Sequence, residues 1–578
     1  MTQHDIAAIF ARMADLLEYR GENPFRIRAY RRAAQNLESF SGHLESLASA
    51  GRLTQLSGIG TDLAAKITEY LKTNRIMAFE RLKQSIPQGV CDLLEVPGIG
   101  PKTAKLLTER LNISSVRTLE AAARSHRLRT LPGFQAKKED NILRNIDVVK
   151  QGRARMHLGL ALQISSHLIA ALRQIPGVTR VSTAGSLRRM KETIGDLDLL
   201  AASSSPERVM RAWRRQSFCR RILAAGSTKT SILTPEGLQV DLRVVAPKSF
   251  GAALQYFTGS KEHNVRLREL AARKGLKVNE YGVFRARTNR WAAGREEEEV
   301  YQALGLPWIA PELREDHGEL EAAKAGRLPQ LVEAGDIRGD FHIHTNWSDG
   351  SDRLEAMANA GRARGYQYLA ICDHSQSLTI AHGMSVARLR RQLGEIRKLN
   401  ERLSPFRLLT GAEVDILNDG SMDYPNAVLA DLDVVIGSIH SGFSQHHTRL
   451  THRLVSAMEN PHVTVIAHPT GRLMGQREPY AVDLDAVFQT AHKTHTALEI
   501  NAYPKRLDLG DAQARAAQQA GAMLAISTDS HSLDQLDQMA IGLGVARRAW
   551  LEPKHLLNCL SLNELLAWIA RKRKPTRA

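Results

Sequence analysis

Apolar and polar positions change rhythm along this chain, and the changes mark its parts. From Ile337 to the end, short apolar runs such as Tyr-Leu-Ala-Ile and Val-Thr-Val-Ile-Ala alternate with stretches of helical period. Compact runs with helices between them predict strands of an α/β barrel-like domain. Residues 155–245 read differently. A helix over about 157–174 precedes three strand-like runs, Val-Thr-Arg-Val-Ser-Thr-Ala, Gly-Asp-Leu-Asp-Leu-Leu-Ala-Ala and Leu-Gln-Val-Asp-Leu-Arg-Val-Val. Residues 250–315 are mixed, with a helix near 261–274. Residues 1–150 read as short helices separated by glycine turns, with few β-branched runs. A charged stretch running to Pro329 predicts a linker over 316–336.

Composition bounds the class. A chain of 578 residues is too long for one core and implies about three to five units. No window approaches the roughly 18 apolar residues of a membrane span, and the first residues lack a signal pattern. The four cysteines show no Cys-x-x-Cys spacing, which fits reduced thiols and a cytoplasmic location. The net charge is +18, and residues 1–150 carry 23 Lys and Arg against 16 Asp and Glu. A basic surface without an amphipathic anchor favours nucleic acid over membrane. The terminal Arg-Lys-Arg-Lys-Pro-Thr-Arg reads as a frayed, solvated tail.

Within the helical part, Leu56-Ser-Gly58-Ile-Gly60-Thr-Asp-Leu-Ala-Ala-Lys66 is echoed by Val96-Pro-Gly98-Ile-Gly100-Pro-Lys102-Thr-Ala-Lys105. A third, degenerate copy runs from Leu131 through Gly133 and Gln135. Two glycines one residue apart let a turn approach a partner closely, and the following helix begins with free N–H groups suited to phosphate. Gly58, Gly60, Gly98, Gly100, Lys102 and Lys105 are therefore candidate DNA-backbone contacts; an ordinary helical hairpin is the alternative. The pair resembles helix-hairpin-helix motifs.

A second constellation is Gly185-Ser186-Leu-Arg-Arg189 followed by Gly195-Asp196-Leu-Asp198 and, farther on, Val240-Asp241. Asp196 and Asp198 alternate on a strand and share a face; Asp241 lies in a second apolar run that could sit beside them. Three adjacent carboxylates repel unless divalent cations neutralise them, and oxygen-only ligands favour Mg²⁺ or Mn²⁺. Such ions suit the activation of a hydroxyl and the departure of pyrophosphate. The Gly185-Ser186 turn offers a backbone N–H and a hydroxyl to a triphosphate, and Arg189 offers charge.

Residues 1–315 resemble a family X DNA polymerase of the beta type. The resemblance implies metal binding and catalysis by Asp196, Asp198 and Asp241, and triphosphate binding by Gly185, Ser186, Arg189 and Gly195. It implies a deoxynucleotide pocket lined by Tyr256, Phe257, Gly259 and Asn264, the aromatic pair excluding a ribose 2′-hydroxyl. Ile194 stands where the family usually has a Ser hydroxyl, and Lys261 where an acid is common. The amino-terminal segment with Arg28-Ala-Tyr30-Arg31-Arg32 resembles the family's small end-binding domain. There Lys66 falls at the Schiff-base lysine and Asp62 replaces a basic neighbour. A phosphate-contacting lysine is the alternative.

The stretch from Asp340 to His531 holds 13 of the 21 histidines. His342, His344, Asp349, His374, Glu413, His440, His468, Asp529 and His531 stand mostly where apolar runs end, the pattern of strands delivering ligands to one pocket. Such donors suit Zn²⁺ or Mn²⁺. These nine positions resemble the ligand set of a PHP (polymerase and histidinol phosphatase) domain. That resemblance implies a distorted barrel, up to three metals and phosphoester hydrolysis. Arg472 is either a substrate-phosphate ligand or a surface residue.

The expected fold is thus multidomain: an all-α helix-hairpin-helix part, an α+β nucleotidyltransferase palm, and a distorted α/β, TIM-like PHP barrel. The expected units are two helical subdomains (1–80 and 81–150), the palm (151–248), a nucleotide-selecting subdomain (249–315), the linker (316–336) and the PHP domain (337–578). The expected function is gap-filling DNA synthesis in repair, on gapped or nicked duplex DNA with deoxynucleoside triphosphates. The barrel would act at DNA ends as a 3′–5′ exonuclease, 3′-phosphatase or abasic-site endonuclease. The expected protein is monomeric and free of membrane. Its alternative is a DNA-targeted phosphoesterase with an inactive palm.

Overall fold

The computed structural model of the chain describes residues 2–573 except 40–43, 57, 74, 95, 97, 132, 133, 136, 137, 141, 144, 145, 147–154 and 236. The described residues of the first 146 are helices and turns around two apolar cores. One core runs from Ile6 to Cys91 and the next from Leu93 to Ile146. Both hairpins take the expected form. Helix Thr61–Thr73 starts directly after Gly60, and helix Pro101–Leu111 directly after Gly100. Gly58 and Gly98 have φ of +71° and +86°, a conformation that favours glycine. Pro132, Gly133, Ala136 and Lys137 of the third copy lie outside the described residues.

The palm is a five-stranded sheet. Its strands are β2 (Arg180–Thr183), β4 (Asp196–Ala202), β5 (Arg221–Ala225), β6 (Lys229–Leu233) and β7 (Gln239–Val245), in the order β2-β4-β7-β6-β5. Short β1 (Met156–His157) and β3 (Thr193–Ile194) pair beside it. The strands β4 and β7 are parallel, with Asp198 opposite Asp241. Helix Leu158–Arg173 supports the sheet, as its pattern predicted. The next subdomain carries helices Phe250–Thr258 and Lys261–Arg273 and the antiparallel strands β8 (Leu276–Asn279), β9 (Gly282–Arg285) and β10 (Trp291–Ala293).

The stretch expected as a linker is partly built into this subdomain. Helix Glu319–Lys324 buries Leu320 and Ala323 in the same core as Leu267, Val300 and Ile309. Its charge suggested exposure, but its first acid is partnered inside the protein, while Glu321 pairs with Arg266 at the surface. Glu319 is buried against His263 at 2.6 Å.

The carboxy-terminal part is a barrel of seven parallel strands in sequence order: β11 (Gly339–Ile343), β12 (Tyr368–Ile371), β13 (Arg407–Asp415), β14 (Val434–Ser438), β15 (Val465–Ile466), β16 (Ala497–Asn501) and β17 (Leu524–Ser527). The last and first strands meet where Ile343 pairs with Ser530 and the His344 N–H donates to the Ser530 carbonyl at 2.8 Å. Most of these strands are buried throughout, hence their continuous apolar runs. Barrel and palm share one apolar core that includes Leu158, Leu197, Ile500 and Val545. A Cβ at Gly159 would fall 2.7 Å from Pro504, so the palm helix lies directly on the barrel.

The basic tail departs from expectation. Helix Leu562–Arg573 runs into it. The Lys572 ammonium donates to the Met458 and Thr494 carbonyls at 2.9 Å and to Thr496 Oγ1 at 2.5 Å. Three acceptors match its three donors, something a run of basic residues cannot disclose. Residues 574–578 of that tail lie outside the described residues.

Palm and nucleotide-selecting subdomain are tied by Glu297. It accepts both arms of Arg188 at 2.7 and 2.8 Å, Arg314 at 2.6 Å and the Trp308 indole N–H at 2.8 Å. Removing one member of a buried pair strands its partners, at about 3–5 kcal/mol. Glu297→Gln is therefore expected to lower the denaturation midpoint of the polymerase part by that order, measured by thermal or urea unfolding. A loss below about 1 kcal/mol would contradict this role.

Candidate active sites

The palm site begins with the parallel pairing of β4 and β7. Asp196 and Asp198 point to one face, and Asp241 lies beside Asp198. Gly185 is required by this arrangement, since a Cβ there would meet Asp198 Oδ2 at 2.2 Å. Burial first, then the charges of Asp196 and Asp241, push the Asp198 carboxyl up to about 7. Asp241 behaves oppositely. Burial works against its charge, but hydrogen bonds from Lys229, Gln239 and Ser231 hold it below the usual range. Lys229 Nζ stands 2.8 Å from Asp241 Oδ2, a cation within the site that the sequence reading did not single out. It projects from β6, two strands from Asp198, so no local motif announces it. The strained charge balance fits a divalent cation: like carboxylates converge here, one holding a proton and one a lysine.

Around the triad the residues expected to line a nucleotide pocket lie close together. Tyr256 and Phe257 end helix Phe250–Thr258 with ring centroids 5.2 Å apart, and Arg243 stacks on Phe257 at 4.2 Å. Asn264 donates to the Tyr256 carbonyl at 2.7 Å and accepts from Gln255 at 2.8 Å, so it fixes the helix end. Gly259 has φ of +71°, with Arg189 Nη1 3.1 Å from where its Cβ would be. Arg189 donates to Glu315 at 3.0 Å and to the Thr258 carbonyl. Ser186 and Gly195 flank the triad on the turn and at the start of β4.

At the barrel, eight of the nine expected ligands fall into three overlapping groups of converging donor atoms. These are His344, Asp349, His374 and His531; His342, His344 and Asp529; and His374, Glu413 and His440. The ninth, His468, places Nε2 3.1 Å from Glu413 Oε1. All nine are thus brought to one mouth, and Glu413 sits among five histidines. His342 Nε2, both His344 ring nitrogens and His374 Nδ1 are buried without a hydrogen-bond partner. Orphaned imidazole nitrogens facing carboxylates are what divalent cations would satisfy, so the residues fit a polynuclear metal centre.

The local charges tell the same story. Burial opposes the charged form of His342, but Glu413, Asp529 and Glu499 outweigh it and hold the imidazole well above its ordinary range. His440 and His531 are likewise raised to about 9, chiefly by Glu413 and by Asp349 against the effect of burial. His344 and His468 are lowered to about 3 and about 4 by burial, with His531 and Arg506 adding to it. Despite burial, Glu413 is held far below the usual carboxylate range by His440, His374 and His342, and Asp529 by His342 and His344.

Three residues of this site escaped the sequence reading. Glu499 accepts from His342 Nδ1 at 2.8 Å and from the His468 N–H at 2.7 Å. Asp415 meets His440 Nδ1 at 2.5 Å. Such carboxylates fix the ring orientation of a ligating histidine. Asp415 follows Glu413 by two on β13, a same-face spacing that could have been noticed. Arg506 Nε lies 3.6 Å from Asp529 Oδ2, and its Nη1 is buried without a partner. Arg472 is not a ligand at this mouth. It pairs with Glu192 of the palm at 2.7 and 3.2 Å and donates to the Arg506 carbonyl at 2.7 Å. A pairing partner 280 residues away is invisible to local motif reading.

In the helical part, a Cβ at Gly60 or Gly100 would meet nothing within 4 Å. Internal packing therefore does not demand these second glycines. The Lys102 side chain is 89% exposed and available to a phosphate, and Lys105 lies beside Glu109 at 3.9 Å. Lys66 pairs with Asp62 at 2.5 Å.

A nucleotidyltransferase palm joined to a polynuclear hydrolase barrel defines a two-centre phosphoryl-transfer protein. Comparison with known families agrees, part by part. Residues 1–76 match the helix-hairpin-helix domain, 91–146 the SAM-like helix-hairpin-helix tandem, 253–315 the DNA polymerase beta thumb and 340–502 the PHP domain. The chain is 39% identical over 573 residues to the DNA polymerase/3′-5′ exonuclease PolX of Bacillus subtilis (strain 168), covering 99% of this chain and 100% of that one. It is 26% identical over 350 residues to DNA polymerase lambda of Arabidopsis thaliana, covering 54% and 61%. Its barrel is 26% identical over 231 residues to a probable phosphatase of Thermoanaerobacter sp. (strain X514), covering 38% and 89%. The chain belongs to the family X DNA polymerases that carry a carboxy-terminal PHP domain.

Among the described residues no helix is long and apolar enough to cross a membrane. Polymerase and PHP parts both imply divalent metals.

Asp198, with its carboxyl near 7, must lose its proton before it can hold a cation. Affinity then rises with pH up to about 7 and levels off above it. The half-saturating Mg²⁺ concentration for nucleotide incorporation is expected to increase by up to about tenfold per pH unit below 7. A value independent of pH between about 6 and 8 would refute this assignment.

Proposed function

We propose that this chain is a template-directed DNA polymerase filling short gaps in base excision and break repair, with a PHP centre that hydrolyses phosphoesters at 3′ ends. The observation that carries the reading is the presence of two complete ligand sets in one chain: the Asp196, Asp198 and Asp241 triad, and nine convergent donors at the barrel mouth.

At the palm, Asp196, Asp198 and Asp241 would hold Mg²⁺ or Mn²⁺, which supplies activation of the primer hydroxyl and neutralisation of pyrophosphate. The chain's own residues orient the substrate. The Gly185-Ser186 turn presents N–H and hydroxyl donors to the triphosphate, and Arg189 reaches it by leaving Glu315. Tyr256 and Phe257 form the steric wall against a 2′-hydroxyl, and Asn264 fixes the end of their helix through the Tyr256 carbonyl. The two hairpins bind the DNA backbone through Gly58, Gly60, Gly98 and Gly100, with Lys102 and Lys105 adding charge. Lys66 Nζ is engaged by the Asp62 carboxylate at 2.5 Å. We therefore assign Lys66 to phosphate contact rather than Schiff-base chemistry.

At the barrel the nitrogen and oxygen donors suit Mn²⁺ or Zn²⁺, up to three ions, which would supply hydroxide at neutral pH. Arg506 would bind the scissile phosphate with its free Nη1 while Asp529 holds its Nε side. The substrates are gapped or nicked duplex DNA and deoxynucleoside triphosphates, and the protein acts as a cytoplasmic monomer. The names of the barrel's relatives, a 3′-5′ exonuclease and probable phosphatases, support end-trimming chemistry.

On a one-nucleotide-gapped duplex, Asp198→Ala is expected to abolish extension and spare 3′ degradation, while His344→Ala does the reverse. Loss of both activities in either variant would overturn the two-centre reading. Arg506→Met is expected to lower kcat/KM for 3′ degradation about 10²-fold, with bound metal and extension unchanged. An unchanged rate would remove Arg506 from the site.

A further inference from the structure

Glu315 stands where three parts of the chain meet. Its Oε1 accepts from palm Arg189 Nε at 3.0 Å and from Arg548 Nη1, on barrel helix Met539–Arg548, at 2.9 Å. Lys191 Nζ is 3.6 Å from the same oxygen. Arg548 also donates to the Arg189 carbonyl at 2.8 Å and to Asp511 Oδ2 at 2.8 Å. The side chains of Glu315 and Arg189 are 12% exposed and that of Arg548 only 3%. With so little water, one carboxylate shared by two guanidinium groups holds each less tightly than it would hold either alone.

Arg189 is thereby restrained at the edge of the nucleotide pocket. Its other arm donates to the Thr258 carbonyl beside Gly259. To reach a triphosphate it must give up Glu315, and what Glu315 keeps is a cation from the other catalytic domain.

We infer that Arg548 and Glu315 are positioning residues through which the PHP domain sets the readiness of Arg189 for the incoming nucleoside triphosphate. The inference rests on Arg189 as a triphosphate ligand. Arg548 draws charge from Glu315 and loosens its hold on Arg189. Triphosphate binding then takes Arg189 away and leaves Glu315 to Arg548, so the palm's occupancy tightens the palm–barrel contact.

The test is single-nucleotide incorporation by the full chain on a one-nucleotide-gapped duplex, with KM for the deoxynucleotide and kcat measured separately. Arg189→Ala should raise KM; if it does not, the underlying reading fails. Given that rise, Arg548→Met should raise KM about fivefold or more at nearly constant kcat, because Glu315 is then left to Arg189 and the more distant Lys191. Glu315→Gln should not raise KM, and Arg548→Met added to Glu315→Gln should have no further effect. A merely structural contact would instead weaken both single variants and multiply their losses in the double variant. That outcome, or an unchanged KM in Arg548→Met beside a raised one in Arg189→Ala, overturns the coupling. Should Arg548→Met fail to fold, Arg548→Lys makes the same comparison, since one ammonium cannot serve Glu315, Asp511 and the Arg189 carbonyl together.

Discussion

Three largely enclosed acids between residues 297 and 319, Glu297 and Glu319 buried and Glu315 nearly so, hold the parts of the chain in place. Glu297 takes Arg188 and Arg314, Glu315 takes Arg189 and Arg548, and Glu319 takes His263, whose other nitrogen meets the Tyr301 hydroxyl at 3.1 Å. An unpaired charge in such surroundings costs several kcal/mol, so each acid dictates where its cations stand. The consecutive arginines of the palm turn are drawn to two different acids. The turn that would carry the triphosphate is thereby aligned with the pocket helix on one side and the barrel on the other. Apolar burial supplies most of the stability, but it is non-directional and would tolerate small slides of one part over another. The ion pairs remove that freedom.

Both reaction centres follow one electrostatic logic with opposite chemistry. Each gathers groups that cannot all keep their ordinary charge state together. In the palm, burial and its neighbouring carboxylates raise Asp198, while Lys229 pairs with Asp241. In the barrel, Glu413, Asp529 and Asp349 raise the imidazoles of His342, His440 and His531 above their ordinary range against the effect of burial. Both sets of groups carry an electrostatic tension that a divalent cation would relieve.

The candidate site residues were legible because their spacing is local or periodic. Asp196 and Asp198 share a strand face, and the candidate barrel ligands follow apolar runs, so period and strand ends pointed to residues that the fold does bring together. The register of β4 against β7 was an inference from two separate runs, and the fold bears it out with Asp198 opposite Asp241. What the sequence concealed is pairing at a distance. Arg472 was open between a phosphate ligand and a surface residue, and its charge is met instead by Glu192 of the palm. The charged stretch after residue 315 looked like a spacer because acids usually face water, yet Glu319 is fully buried. Lys572 looked like part of a solvated tail, yet three acceptors at the barrel's end receive it. The last two share one source: charge in sequence was read as exposure in space.

The barrel also shows why ligands alone do not make the centre. His468 and Asp529 have φ of +28° and +53°, conformations that cost a non-glycine residue about 1–3 kcal/mol. Both are held by strand β16, which contributes none of the nine ligands. Glu499 takes the backbone N–H of His468 with one carboxylate oxygen and the ring of His342 with the other. Asn501 donates to Glu499 at 3.0 Å and to Asp529 Oδ2 at 3.1 Å. The strain is thus offset by a hydrogen-bonded pair lying between the two ligands it orients. It is spent on aiming donor atoms that regular strand ends would turn aside. The preorganisation of the site is a property of β16 as much as of the histidines, and a relative with all nine ligands but neither Glu499 nor Asn501 would have the composition of this centre without its geometry.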